Sequence, residues 1–332
     1  MKYRTLGKTG VSISEVGLGT WQLGSADWGK ISESDALAIL HRAANSGVNF
    51  FDTADVYGMG NSERFIGKFL KESQTEVHVA TKLGRVYWAK KGWPQTFSLA
   101  DVRKATQQSL KNLGVESLFL QQWHCIPTEM LRDGEVLDHL ETIKKEGLIQ
   151  NWGCSVESIE EALIVVNYPG CASLQVIFNI FRQKLIEDLL PIAQEKNVGI
   201  LARIPLASGL LSGQLKADHK FSRKDHRSYN REGKAFNIGE TFAGVPFERG
   251  VEFTEKVKEI LQPSGEVTMA QLALRWVLDH KAVSSVIPGA SKIEQVDGNV
   301  GASSLAALSE EQHKKLSDLY KEEIEQTIRG PY

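Results

Sequence analysis

Three apolar runs end in ionisable side chains: Val48–Asp52 in Asp52, Val77–Lys82 in Lys82, and Leu118–His124 in His124. Tyr57 follows Asp52 by five residues, in FFDTADVYGMGNSE. Such groups are costly to bury unless each finds a partner. Together they suggest reduction of a carbonyl, in which hydride reaches carbon and a proton reaches oxygen. A tyrosine can deliver that proton, although an ordinary pKa of about 10 makes it a reluctant acid. A buried Lys82 cation beside Tyr57 is expected to lower that pKa, and Asp52 to keep the lysine charged. His124 suits a hydrogen bond to the carbonyl oxygen, where negative charge develops. Taken singly, the four read as a helix cap, a packing ring, a surface lysine and a core histidine. Their convergence on one face is what argues for catalysis.

That convergence depends on the elements carrying them. The chain opens with a hairpin pattern, Lys2 to Thr5, a Gly7–Gly10 turn, then Val11 to Ser14. Eight apolar runs follow: the three above and Glu15–Gly19, Ile149–Cys154, Leu174–Asn179, Gly199–Ile204 and Ser284–Ile287. Helical patterns separate them. Leu37, Leu40 and Ala44 lead to Gly47, and Val136, Leu140 and Ile143 lead to Gly147. Ser98 and Asp101 have capping-box spacing before Val102, Ala105, Ser109 and Leu113, with Gly114 as the stop. Apolar strands each followed by a helix imply a parallel sheet covered by helices. Eight such units favour a closed (β/α)8 TIM barrel, whose strand ends share one site. The competing dinucleotide-binding Rossmann fold needs G-x-G-x-x-G spacing, which Gly17, Gly19 and Gly24 in GLGTWQLG do not provide. One barrel domain over residues 1–332 is expected. Ala217 to Gly250, rich in charge, glycine and aromatic residues, would follow the seventh strand as a long loop or lid.

The 332 residues carry a formal net charge of −2, which gives no reason to expect nucleic acid or an anionic membrane as partner. Cys125, Cys154 and Cys171 show no CxxC spacing, so neither a metal site nor a disulfide framework is expected. No signal-peptide or membrane-spanning run is read, and a cytoplasmic location fits best.

DTADVYG followed by NSE, the strand end Thr81–Lys82, and QQWHCIP around His124 resemble the signatures of the aldo-keto reductase family, from about Arg4 to about Tyr320. The resemblance implies the same barrel, a nicotinamide cofactor that is usually NADPH, and a tetrad of Asp52, Tyr57, Lys82 and His124. It places Gly19, Thr20 and Trp21, with Asp52, near the nicotinamide, and Ser155 and Gln175 on its carboxamide. Pro205, Leu206, Ser208, Gly209 and Leu211, in PLASGLLSG, would embrace the pyrophosphate through backbone amides. Gly289, Ser291, Lys292 and Gln295 would hold the 2′-phosphate at a helix N-terminus, and Asn299 the adenine. The chain departs from the family pattern at three places. Val156 replaces an asparagine after the carboxamide serine, Gly298 an acidic residue before Asn299, and Arg203 an aromatic stacked on nicotinamide, where its planar guanidinium is expected to bind the cofactor, against that ring or beside its phosphate. Trp21, Tyr87 and Trp88 join Tyr57 and His124 as candidate substrate contacts, while the short tail after Tyr320 is expected to add little. The small-molecule partner would be an aldehyde or ketone. An alternative is a cofactor-binding sensor or regulatory subunit with slow reductase activity, since potassium-channel beta subunits share this fold and tetrad. A metal-dependent hydrolase would need clustered histidine and carboxylate ligands that the sequence does not show.

Overall fold

Strand β1 (Tyr3–Thr5) pairs antiparallel with β2 (Ser12–Ser14), Tyr3 opposite Ser14, in the computed structural model of the protein. The structure describes residues 1–332 apart from Ala26 and Lys30 and the side chains of Tyr87, Trp88 and Lys91. The hairpin lies across one end of the main sheet. Leu6 and Ile13 are buried there with Phe50, Ala80, Leu120 and Leu201 in an apolar cluster. The approach requires glycine: a Cβ on Gly7 would lie 2.4 Å from the Gly199 nitrogen, and its φ is +47°.

Eight parallel strands then pair in chain order: β3 (Leu18–Gly19), β4 (Phe50–Asp52), β5 (His78–Leu83), β6 (Leu118–His124), β7 (Ile149–Ser155), β8 (Cys171–Ile177), β9 (Gly199–Arg203) and β10 (Val283–Val286). Bridges from Val16 to Val286 and Gly19 to Gly289 join the two edges, so the sheet closes into a (β/α)8 barrel. Six strands lie within two residues of the runs read from sequence, and β3 starts at Leu18, three residues after the start of its run. β8 is displaced at both ends, starting three residues earlier at Cys171 and ending two earlier at Ile177. Asn179 leaves the ladder because its side chain accepts from the Phe181 N–H and donates to the Ile204 carbonyl.

Helices cover the outside. Leu99–Leu113 begins at Ser98, whose hydroxyl accepts from the Asp101 N–H, and stops at Gly114 with φ +68°. Ser98 also donates to the Asp101 carboxylate at 2.7 Å, whereas reciprocal capping boxes occur at Thr268 with Gln271 and Ser309 with Gln312. Strand alternation sorts side chains between helices and barrel interior. Trp123 points outward and donates Nε1–H to the Val136 carbonyl, while His124 faces the cavity at the strand's C-terminal end.

Residues 217–250 fold into short turns, His226–Tyr229, Ile238–Glu240 and Phe242–Gly244, and already enter the helix Phe247–Leu261. The C-terminal residues hold this segment: the Arg329 backbone N–H and Nε–H both donate to the Gly244 carbonyl, and Arg182 donates to that of Pro331. Among the described residues no helix is long and apolar enough to cross a membrane.

Candidate functional site

β4, β5 and β6 deliver Asp52, Lys82 and His124 to the same barrel rim, and the turn after β4 brings Tyr57 across them. The Lys82 ammonium is fully buried and donates to Asp52 Oδ2 at 2.6 Å and to the Thr53 carbonyl at 2.9 Å. Its third contact is the Tyr57 hydroxyl at 3.4 Å. The His124 and Tyr57 rings meet edge to face with centroids 5.8 Å apart, and Trp21 stacks on the other side of Tyr57 at 6.0 Å. Asp52 Oδ1 accepts from Gln175 Nε2 at 2.7 Å, so both carboxylate oxygens are engaged.

Burial governs the electrostatics. It pushes the Tyr57 phenol above its ordinary range, against the Lys82 charge, which acts in the opposite direction. The sequence expectation of a net lowering is therefore corrected: Lys82 limits the rise without reversing it. Lys82 itself titrates above its usual value, because Asp52 and Tyr57 outweigh the desolvation that acts against its charge. Burial, reinforced by Arg85, Lys82 and Arg203, drives His124 well below the usual imidazole range. It is a neutral donor near pH 7. The arrangement can offer a phenolic proton, a cation behind it and a neutral imidazole to one oxygen atom.

A cavity of about 330 Å³ opens over these residues. Gly19, Thr20, Trp21 and Gln175 line it at the tetrad end, with Arg203 beside them. It continues along Pro205, Leu206, Ser208 and Gly209 and reaches Gly289, Ser291 and Gln295. Four residues read as cofactor contacts are not in its wall. Ser155 is buried at the end of β7 with its hydroxyl 3.5 Å from Cys125 Sγ, and Leu211 packs in the core. Lys292 is exposed at the N-cap of Ile293–Gly301, and Asn299 is buried, donating to the Gly289 carbonyl at 3.3 Å. Gln175 lines the cavity with one amide N–H held by Asp52, which leaves its second N–H and its carbonyl oxygen for a ligand. The side chains of Tyr87 and Trp88 lie outside the described residues.

The model of the aldo/keto reductase family matches residues 15–321. The chain belongs to the aldo/keto reductase family. It is 31% identical over 336 residues to the uncharacterized oxidoreductase YqkF of Bacillus subtilis, covering 99% of this chain and 100% of that one. The glycerol dehydrogenase AKR11B4 from Gluconobacter oxydans superposes with a TM-score of 0.76 at 28% identity, over 99% of this chain and 97% of that one. An aldo-keto reductase from Klebsiella pneumoniae in complex with NADPH superposes with a TM-score of 0.69 over 99% of both chains; at 22% identity that likeness is one of fold.

The reductase also places residues at the site that sequence reasoning missed. Trp28 lines the cavity and meets Trp21 edge to face at 5.7 Å. Arg227 lines it from the 217–250 segment, between the Trp28 and Phe221 rings and paired with Asp225. Glu240 comes from the same segment. Arg85 donates to both of its carboxylate oxygens, at 2.6 and 3.2 Å, and reaches Glu157 at 3.0 Å. Arg203 lies 3.5 Å from Glu240. Among the described residues Cys125, Glu157 and Glu240 bring metal-capable atoms within 4.8 Å of one another. The two guanidiniums already serve those carboxylates, and burial pushes the Cys125 thiol up to about 11, so the cluster suits arginine better than a metal ion. The only sequence signal was the charge of the segment, since Glu240 and Arg227 belong to no periodic pattern.

Two of the strained residues at this rim directly follow site residues. Cys125 after His124 has φ +52° and Ile204 after Arg203 has φ +54°, the latter a rare conformation for a β-branched residue. Each turns the chain sharply at a strand end and so fixes the direction of the side chain before it.

Proposed function

We propose that this aldo/keto reductase uses NADPH to reduce small aldehydes or ketones to alcohols, with Tyr57 donating the proton. The observation that carries the reading is the contact of the Tyr57 hydroxyl with a buried ammonium locked onto Asp52, inside a cavity that His124 also faces. When bound, the nicotinamide supplies hydride to the carbonyl carbon. As charge builds on the carbonyl oxygen, Tyr57 releases its proton to it and Lys82 stabilises the phenolate left behind. Asp52 keeps Lys82 protonated in a dry site. His124, neutral, donates a hydrogen bond to the same oxygen.

The donor set fits an elongated dinucleotide. The cavity runs from Tyr57 past the Pro205–Gly213 loop to Ser291 and Gln295 at the start of a helix. The positive end of that helix, with exposed Lys292 as its N-cap, suits a 2′-phosphate. The Klebsiella pneumoniae protein of the same fold is bound to NADPH. Trp21 and Trp28 form an apolar wall near Tyr57, which favours carbonyl compounds with an apolar body. Steady-state oxidation of NADPH across a panel of aldehydes and ketones tests the reading. Multiple turnover is the expected result. Tight NADPH binding with only a slow single turnover would instead support a sensor.

A further inference from the structure

Arg203 ends β9 in the wall of the cavity that Tyr57 and His124 also line, with 9% of its surface exposed, and contacts the 217–250 segment through Glu240. Its two terminal nitrogens are engaged. Nη2 donates to the Val156 carbonyl at 3.1 Å and lies 3.5 Å from Cys125 Sγ, while Nη1 lies 3.5 Å from Glu240 Oε1. Nε is enclosed by protein and has no hydrogen-bond partner. A guanidinium held at both terminal nitrogens and lining a cavity can present its flat face to a ligand. The group that fits such a face is a flat π-bonded ring. At the tetrad end of the cavity that ring is the nicotinamide, and this step rests on the NADPH reading above.

The dihydronicotinamide ring is neutral and the oxidised ring is cationic. A fixed positive charge against it therefore favours NADPH over NADP+, by attraction in one state and repulsion in the other. Glu240 opposes that preference from 3.5 Å. It is held in place by Arg85 and by the Ser208 hydroxyl, which donates to the Glu240 carbonyl at 3.2 Å. We propose that Arg203 and Glu240 together set the redox bias of the bound cofactor. Arg203 is the ring contact that prefers the reduced form. Glu240 is a positioning residue, delivered by the 217–250 segment, that orients the guanidinium and offsets part of its charge.

Fluorescence and calorimetric titration of the whole protein with NADPH and NADP+ tests this through the ratio of the two Kd values. Arg203→Met should bring the NADP+ to NADPH ratio down about tenfold, and Glu240→Gln should raise it. A tenfold change corresponds to about 30 mV in the potential of the bound two-electron couple. Arg203→Gln serves the same purpose should the methionine variant fail to fold. The Kd for 2′,5′-ADP, which lacks the nicotinamide, should stay unchanged in every variant. Opposite movements of the ratio support the proposal, because a purely structural role weakens both cofactor forms alike. Shifts in the same direction, or a ratio unmoved in both variants, overturn it. The wild-type titration separates the two claims: no NADPH binding there overturns the cofactor reading, whereas binding with an unmoved ratio overturns this inference alone.

Discussion

The Lys82 ammonium lies 2.6 Å from Asp52 Oδ2 and 3.4 Å from the Tyr57 hydroxyl, so it is anchored on the carboxylate and turned toward the phenol. That asymmetry suits a proton donor. A phenol bonded more tightly to the cation would already favour phenolate, whereas here burial keeps Tyr57 protonated until charge develops on a neighbouring oxygen.

Tyr57→Phe should therefore lower kcat by about 10²- to 10⁴-fold, the usual worth of a positioned acid. NADPH affinity should change little, because the ring that stacks on Trp21 is retained. Steady-state rates paired with a fluorescence titration check both halves. Near-normal turnover would remove Tyr57 as the donor.

Lys82→Met tests the cation behind it. With the ammonium gone the Tyr57 phenol should move further above its ordinary range, and the pH dependence of kcat should change with it. The variant also leaves Asp52 buried without its ion-pair partner, so stability should fall by about 3–5 kcal/mol in urea unfolding. A stable variant with an unaltered pH–rate profile would contradict the tuning role.

Asp52, Lys82 and His124 were legible in the sequence because each ends an apolar run, and a barrel sends all strand ends to one rim. The eight strands were legible for the same reason, as short apolar runs punctuated by helical periodicity. What the sequence could not express was depth and partner choice. It identified Lys82 as the neighbour of Tyr57 but not the burial that outweighs it. It singled out Gln175 without showing that one of its amide N–H groups is held by Asp52, 123 residues away. Glu240 and Arg227 sit in a segment with neither helical nor strand period, and their places follow from tertiary contacts with Arg85, Asp225 and Trp28. Asn179 ends β8 early through side-chain hydrogen bonds that apolar patterning does not register.

Glu157 should give stability a measurable pH dependence. Burial and the neighbouring Glu240 push its carboxyl up to about 7, while Glu240, taking both Arg85 contacts, stays ionised. A carboxyl raised on folding binds its proton more tightly in the native state. Its contribution is full below the unfolded value near 4.5 and is lost as pH rises to about 7. Glu157→Gln should remove that decline and make the protein more stable than wild type at pH 8, read from urea midpoints across this range. Parallel curves for the two proteins would show that Glu157 does not carry the proton.

Lys292 offers the last test, on discrimination between cofactors. It is exposed, caps the helix Ile293–Gly301 and lies just outside the wall that Ser291 and Gln295 form. An ammonium there gains from a 2′-phosphate and has nothing to gain from the bare ribose of NADH. Lys292→Ala should accordingly weaken NADPH binding about tenfold at low ionic strength and leave NADH binding unchanged. The loss should shrink as salt rises, because an exposed charge pair is screened. Titrations of both cofactors at two salt concentrations decide it. Equal weakening of NADPH and NADH would mean that Lys292 acts through the helix it caps and not through the phosphate.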